Sequence, residues 1–188
     1  MEQHLPILQV ILPLLAAPLA ALLRGRDLAW TLSALVTGGT LLISIALFLE
    51  QRASGTTLVY DIGGWPAPIG IVYVIDAASA LVLPVISGLA FVATLAARQL
   101  VEAEIDRRDH PLFYAAWLLT IAGMLGQVTT GDAFNIFVFL EISSLSAYAL
   151  VAMGAGRDRR ALPAAFNYLI LGTVGATFYV IGVGLLYM

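Results

Sequence analysis

The chain has 188 residues, of which 61% are apolar and only 11% charged, with a formal net charge of −3 and a mean hydropathy of +0.95. Soluble domains carry roughly 25% charged and about 45–50% apolar residues. An apolar excess of this size cannot be enclosed in one aqueous core at this length, which excludes an ordinary soluble domain and makes the bilayer the solvent. All nine basic residues are arginine, and there is no cysteine, so a disulfide framework, a thiolate metal site and a cysteine nucleophile are excluded.

Crossing about 30 Å of hydrocarbon takes roughly 20 apolar residues, and six segments qualify. The opening MEQHLPILQV has no basic residue ahead of its apolar run, as a cleaved secretory signal would. Residues 5–23 are therefore expected to be a retained helix, with a cleaved signal as the alternative, bent by Pro13 and Pro18. An Arg24-Gly-Arg-Asp27 turn leads to a second helix over 28–49. The third runs over about 71–97 and contains Asp76 and Pro84. The fourth, 111–128, opens on Pro111, a tolerated first-turn position. Thr130-Gly-Asp132 turns into the fifth, 132–153, and the sixth runs over 163–188.

Between the second and third helices, TTLVY (56–60) and IGIVYVI (69–75) are rich in β-branched and aromatic residues, with DIGGWPAP between them. Gly63, Gly64, Pro66 and Pro68 are turn residues. A surface β-hairpin is expected, with an irregular loop anchored by Trp65 as the alternative; Trp65 and the tyrosines suit the headgroup region in either case. The expected fold is an all-α membrane protein of about six transmembrane helices, in a single membrane domain spanning 1–188, with a short external hairpin or loop.

Arginine placement sets the expected orientation. Arg24, Arg26, Arg98, Arg107, Arg108, Arg157, Arg159 and Arg160 fall in the odd-numbered loops, and only Arg52 in the others. The positive-inside rule then puts both termini outside and the loops 98–110 and 154–162 in the cytoplasm, in a multi-pass cell (inner) membrane protein.

Glu141 is the residue on which chemistry is expected to turn. Asp132 lies nine residues earlier at the outer end of the same helix, so Glu141 is about 14 Å deeper, near the midplane. Holding a charge there costs at least ~2.5–3.5 kcal/mol. That cost is offset by a basic partner, by water, or by protonation, and each makes the carboxylate a candidate proton or cation site. Ser144 and Tyr148 follow at i+3 and i+7 on the same face, while Ser143 and Ser146 put hydroxyls on adjacent faces. The structural alternative is a polar staple between helices that never titrates.

Asp76 is expected about one turn into the third helix, as an interfacial anchor or part of an outer proton exit. Asp132 is expected to cap the fifth helix. Asn167 and Tyr168, one turn into the sixth, line a polar inlet or bond between helices, and Gly172, Gly175 and Ala176 give that helix a small packing face. His110 is expected to be solvated in its charged loop, and His4 has no companion ligands. With no phosphate loop, HExxH, CxxC or paired haem histidines, no cofactor and no metal are expected.

The stretch GMLGQVTTGDAFNIFVFLEISSLSAYALVAMG resembles the antiporter-like subunits shared by Mrp-type multisubunit sodium–proton antiporters and respiratory complex I. GGWPAPIGIVYVIDAASAL is similar to the outer loop and third helix of those proteins, and FNYLILGTVGATFYVIGVGLLY to the helix after the glutamate helix. GGWPAPIGI and FNIFVFLEISSLSAYAL look most like the D subunit of the Mrp antiporter.

The resemblance implies subunits of about fourteen helices, built from two inverted five-helix repeats, each with a broken helix. The glutamate matching Glu141 would pair with a lysine two helices later, and proton uptake and release would be coupled to switching of that pair. This chain has six expected helices and no lysine, so the partner is expected from a further segment or another subunit. Without it Glu141 is expected to be neutral and the chain unable to transport.

The expectation is thus the N-terminal part of a proton-translocating subunit of a monovalent cation/proton antiporter, in contact with lipid and with other subunits. No catalysis of its own is expected, unless it is part of an NADH-quinone oxidoreductase translocase. The alternatives are a proton-pumping subunit of an NADH-quinone oxidoreductase or membrane hydrogenase, and a non-transporting fragment or assembly scaffold.

Overall fold

The computed structural model describes residues 4–23, 25–65 and 69–188, with every side chain among them except that of Arg26. The helices are α1 (Leu5–Leu22), α2 (Arg26–Ser54), α3 (Ala77–Glu104), α4 (His110–Thr129), α5 (Ala133–Met153) and α6 (Ala161–Leu186); β1 (Leu58–Asp61) and β2 (Val72–Ile75) lie between α2 and α3. All six helices are long and apolar enough to cross a membrane. The chain is a multi-pass membrane protein with the expected all-α architecture and a two-stranded hairpin. Arg24, Pro66 and Pro68, which carry expected turn or orientation roles, lie outside the described residues.

Two helices outrun the apolar segments that predict them. The second continues past residue 49 because Glu50, Gln51, Arg52 and Ala53 are good helix formers. It stops at Gly55, whose φ of 63° suits only a residue without a β-carbon. The third begins at Ala77, not near 71, because Val72–Ile75 pairs antiparallel with Leu58–Asp61, Tyr60 opposite Tyr73. Asp76 is consequently the N-cap, just ahead of the helix rather than a turn inside it. At its other end α3 carries on through Arg98 to Glu104.

The most enclosed helix is α4, with 61% of its span buried against 11% for α6. It packs against α1, α5, α3 and α2. Small residues make this possible. A β-carbon at Gly123 would stand 2.6 Å from the Ser143 nitrogen and 2.7 Å from the Phe139 carbonyl, so α5 reaches α4 only where that carbon is missing. On the other side Leu47, Ile75, Leu83, Ile121 and Leu125 form the largest apolar cluster.

One face of α2 is polar yet buried: Ser33, Thr37, Thr40 and Ser44 are all fully enclosed. Three of these hydroxyls donate to carbonyls of their own helix, Ser33 to Ala29 at 2.9 Å, Thr37 to Ser33 at 2.8 Å and Thr40 to Thr37 at 2.8 Å. Such back-bonding satisfies the hydroxyl without a partner helix.

The hairpin is tied to the α4–α5 turn. Tyr73 makes a β-bridge with Thr130, and the Gly131 N–H donates to the Val72 carbonyl at 2.9 Å. Tyr73 is also packed with Val10 and Phe139. At the opposite end, Arg98 pairs with Asp27 at 3.2 Å and lies 4.6 Å over the Trp30 ring, and Arg157 donates to the Ala103 carbonyl. His110 departs from expectation. It is the first residue of α4 and fully buried, its Nε2 2.9 Å from the Ile105 carbonyl, where it closes the α3–α4 loop.

Candidate functional site

The start of α5 is fixed by a polar cap. Asp132 accepts from the Asn135 N–H at 2.6 Å, and the buried Asn135 amide donates to Thr130 Oγ1 at 3.0 Å. The Asp132 bond satisfies one of the free N–H groups of the first turn. Glu141 follows nine residues later, about 14 Å along the axis, partly buried and in the middle of α5.

Two contact faces define which way it looks. Toward α4, Gln127 Nε2 donates to Ser143 Oγ at 2.9 Å, and the Phe139 ring fills the space a β-carbon on Gly126 would occupy. Toward α6, Tyr148 meets the Tyr168 ring edge-on with centroids 4.6 Å apart and presses its hydroxyl onto Gly172. Near the other end of that interface Tyr179 donates to the Ala133 carbonyl at 3.1 Å. At 3.6 residues per turn Glu141 lies about 20° around the helix from Tyr148 and about 160° from Ser143. The carboxylate is thus on the α6 side. The Tyr148 and Tyr179 contacts bracket it, at the level of residues 173–177 of the antiparallel α6.

Among the described residues no hydrogen bond or ion pair reaches the Glu141 side chain. The arginines among the described residues lie in loops or the end turns of helices, except Arg98, which sits inside α3 and is engaged by Asp27 and Trp30. Ser144 is partly buried on the same side and makes no hydrogen bond to Glu141. Ser143 and Ser146 donate to their own helix, at Leu140 (3.0 Å) and Ile142 (2.7 Å).

Of the other residues singled out by sequence, Tyr168 joins Tyr148, and Asn167 is exposed beside it on α6. Asp76 is elsewhere, exposed at the hairpin end. It accepts from the Ser79 N–H at 2.7 Å, a bond that holds its carboxyl below the usual carboxylate range. Sequence reasoning misses Gln127 and Asn135. A lone amide inside an otherwise apolar run is the available signal for each.

No family model matches the chain. It is 45% identical over 197 aligned residues to NADH-quinone oxidoreductase subunit N of Desulforudis audaxviator (strain MP104C), covering 100% of this chain and 37% of that protein. It is 36% identical over 191 residues to a protein of Rhizobium meliloti (strain 1021) named as the probable D subunit of a K(+)/H(+) antiporter, covering 98% and 34%. A chain of the Mrp complex from Dietzia sp. DQ12-45-1b superposes with a TM-score of 0.84 at 30% identity, over 99% of this chain and 34% of that one. The resemblance to the antiporter-like membrane subunits holds from end to end. The chain spans about a third of the length of the curated relatives it matches.

Proposed function

We propose that the chain is part of a proton-translocating subunit in a multisubunit membrane assembly, with Glu141 as the proton-carrying acid. The observation that carries this reading is Glu141 itself: an acid in the middle of a membrane-spanning helix, with no partner among the described residues. Ionisable groups inside a membrane are costly to hold and mark proton and ion pathways, and a nearby cation offsets the cost of charging an acid there. A basic group brought up from another segment or subunit would therefore load and unload the proton. Ser144 and Tyr148 shape the hydration around it, Asn167 and Tyr168 form the inlet along α6, and Asp76 lies at the outer exit. The arginine-rich loops face the cytoplasm, on the positive-inside rule.

Monovalent cation/proton antiport is the preferred coupling, supported by the match to an antiporter's D subunit and the likeness to the Mrp complex. The 45% identity to a quinone oxidoreductase subunit favours a second reading, in which the same acid is driven by redox chemistry elsewhere in the assembly.

The test is Glu141→Gln in the intact assembly, with proton movement followed by a pH-sensitive dye in inverted vesicles. The amide has the same shape but cannot carry a proton, so movement should be abolished while assembly is retained, and Glu141→Asp should keep part of it. Wild-type proton movement in the glutamine variant would sink the reading.

A further inference from the structure

Where α1 ends and α4 begins, a cavity of about 520 Å³ opens at the surface, lined by the apolar Leu22, Leu23, Pro111 and Leu112 and by the basic Arg107 and Arg108. We propose that it is a binding site for an anionic phospholipid, with the phosphodiester on the two arginines and an acyl chain against the leucines.

The arginines at this end are not equivalent. Arg98 is committed to Asp27 and Trp30, and Arg157 to the Ala103 carbonyl. Arg107 has no partner among the described residues. Arg108 has only Asp109, at 3.7 Å, with 83% of the arginine side chain exposed. Guanidinium groups grip phosphate oxygens through paired N–H donors. Arg159 and Arg160 also have free side chains among the described residues, but Arg107 and Arg108 are the arginines that line the cavity. Asp106 and Asp109 in the same loop offset part of their charge, which favours a ligand that contributes more than phosphate.

The leucines supply the rest. Leu22 is 78% exposed and heads a column of exposed leucines on α1, with Leu19, Leu15, Leu12 and Leu8 below it at spacings of three and four. Such a column lies on one helix face and runs from the cavity into the hydrocarbon. Free phosphate would use the arginines and ignore the leucines. A zwitterionic lipid would fit the leucines but bring its own cation to the arginines. An anionic phospholipid uses both, in the way basic pockets between membrane helices hold acidic headgroups.

The test uses the intact assembly in nanodiscs of phosphatidylcholine with a minor share of phosphatidylglycerol, and quantifies by mass spectrometry the lipid retained through delipidation. Wild type should retain phosphatidylglycerol well above its bulk share. The preference should fall roughly fivefold per arginine removed in Arg107→Gln and Arg108→Gln, with thermal stability in pure phosphatidylcholine unchanged. Arg159→Gln, at an exposed loop arginine, should leave it intact. The proposal is overturned if wild type shows no preference, if Arg159→Gln reduces it equally, or if inorganic phosphate displaces the lipid, the last marking a phosphate site without a lipid.

Discussion

Tyr148 and Gly172 are in contact because one of them has no side chain: the tyrosine hydroxyl occupies the place of a β-carbon on the glycine. This contact and the Tyr148–Tyr168 ring pair seat α6 beside the face that carries Glu141. Gly172→Ala should force the hydroxyl out and move α6 away, at an overpacking cost of about 1–3 kcal/mol. The measurement is thermal unfolding of the assembly together with its proton movement, and both should fall. Tyr148→Phe in the same chain should restore part of the loss, since it removes the colliding oxygen but leaves the ring. Unchanged stability in Gly172→Ala would mean that α6 is not seated through this contact.

Gly123 plays the equivalent part between α4 and α5, with a difference that raises the expected cost. Here a β-carbon would meet backbone, the Ser143 nitrogen at 2.6 Å and the Phe139 carbonyl at 2.7 Å, and backbone cannot rotate aside. Gly123→Ala should cost at least about 1–3 kcal/mol and break the Gln127–Ser143 bond. Ser143→Ala, which removes that bond and the serine's own bond to the Leu140 carbonyl while leaving the helix spacing alone, should cost about 1 kcal/mol. Because the protein has no cysteine, the helix spacing can be read independently by cross-linking single cysteines introduced on α4 and α5. A Gly123→Ala variant no weaker than Ser143→Ala would contradict the close approach.

Much of this architecture is legible in the residues. Six apolar runs, the arginine-rich loops, the β-branched strands and the capping role of Asp132 follow from hydropathy, turn chemistry and helix capping. Helix ends are harder, because apolar length marks the hydrocarbon and not the hydrogen-bond ladder. Hence α2 continues through Glu50–Arg52, and α3 through Arg98. His110 is misplaced by sequence reasoning because composition speaks of the loop and not of the helix whose first turn it enters. The site is half legible. Spacing puts Glu141, Ser144 and Tyr148 on one face, but nothing in the spacing says that α6 lies on that side and α4 on the other. That depends on Gly123, Gly126 and Gly172, whose meaning appears only when the facing side chain is known.

Asp76 gives the hairpin end a defined acid response. Its carboxylate accepts from the Ser79 N–H at 2.7 Å, and this bond lowers its pKa. A depressed folded pKa contributes stability that is present above the unfolded value of about 3.9 and is lost as pH falls through the folded one. The first turn of α3 should therefore hold at neutral pH and open progressively below about pH 4. Amide exchange at Ser79 and Ala80 reports it. In Asp76→Ala those amides should exchange fast at every pH, and in Asp76→Asn, an effective cap without a titrating group, they should be protected without acid dependence. Acid sensitivity surviving in the asparagine variant would assign the response to another group.

Inside the bundle Gln9, Ser44 and Ser87 join α1, α2 and α3 through fully buried polar atoms. Gln9 Nε2 donates to Ser44 Oγ, and Ser87 Oγ is 2.9 Å from Ser44 Oγ and 2.8 Å from the Leu83 carbonyl. The Gln9 Oε1 atom is buried without a partner. The two ends of this node should therefore respond unequally to mutation. Gln9→Met removes an amide already half unsatisfied and leaves both serines bonded, so its cost should stay below about 1 kcal/mol. Ser44→Ala strands the whole Gln9 amide in an apolar interior and should cost about 1–3 kcal/mol. In the double variant the stranded amide is gone, so most of the Ser44→Ala penalty should disappear, a coupling that a double-mutant cycle on the thermal stability of the assembly measures directly. Additive losses would show that the Gln9–Ser44 bond does not carry the contact between α1 and α2.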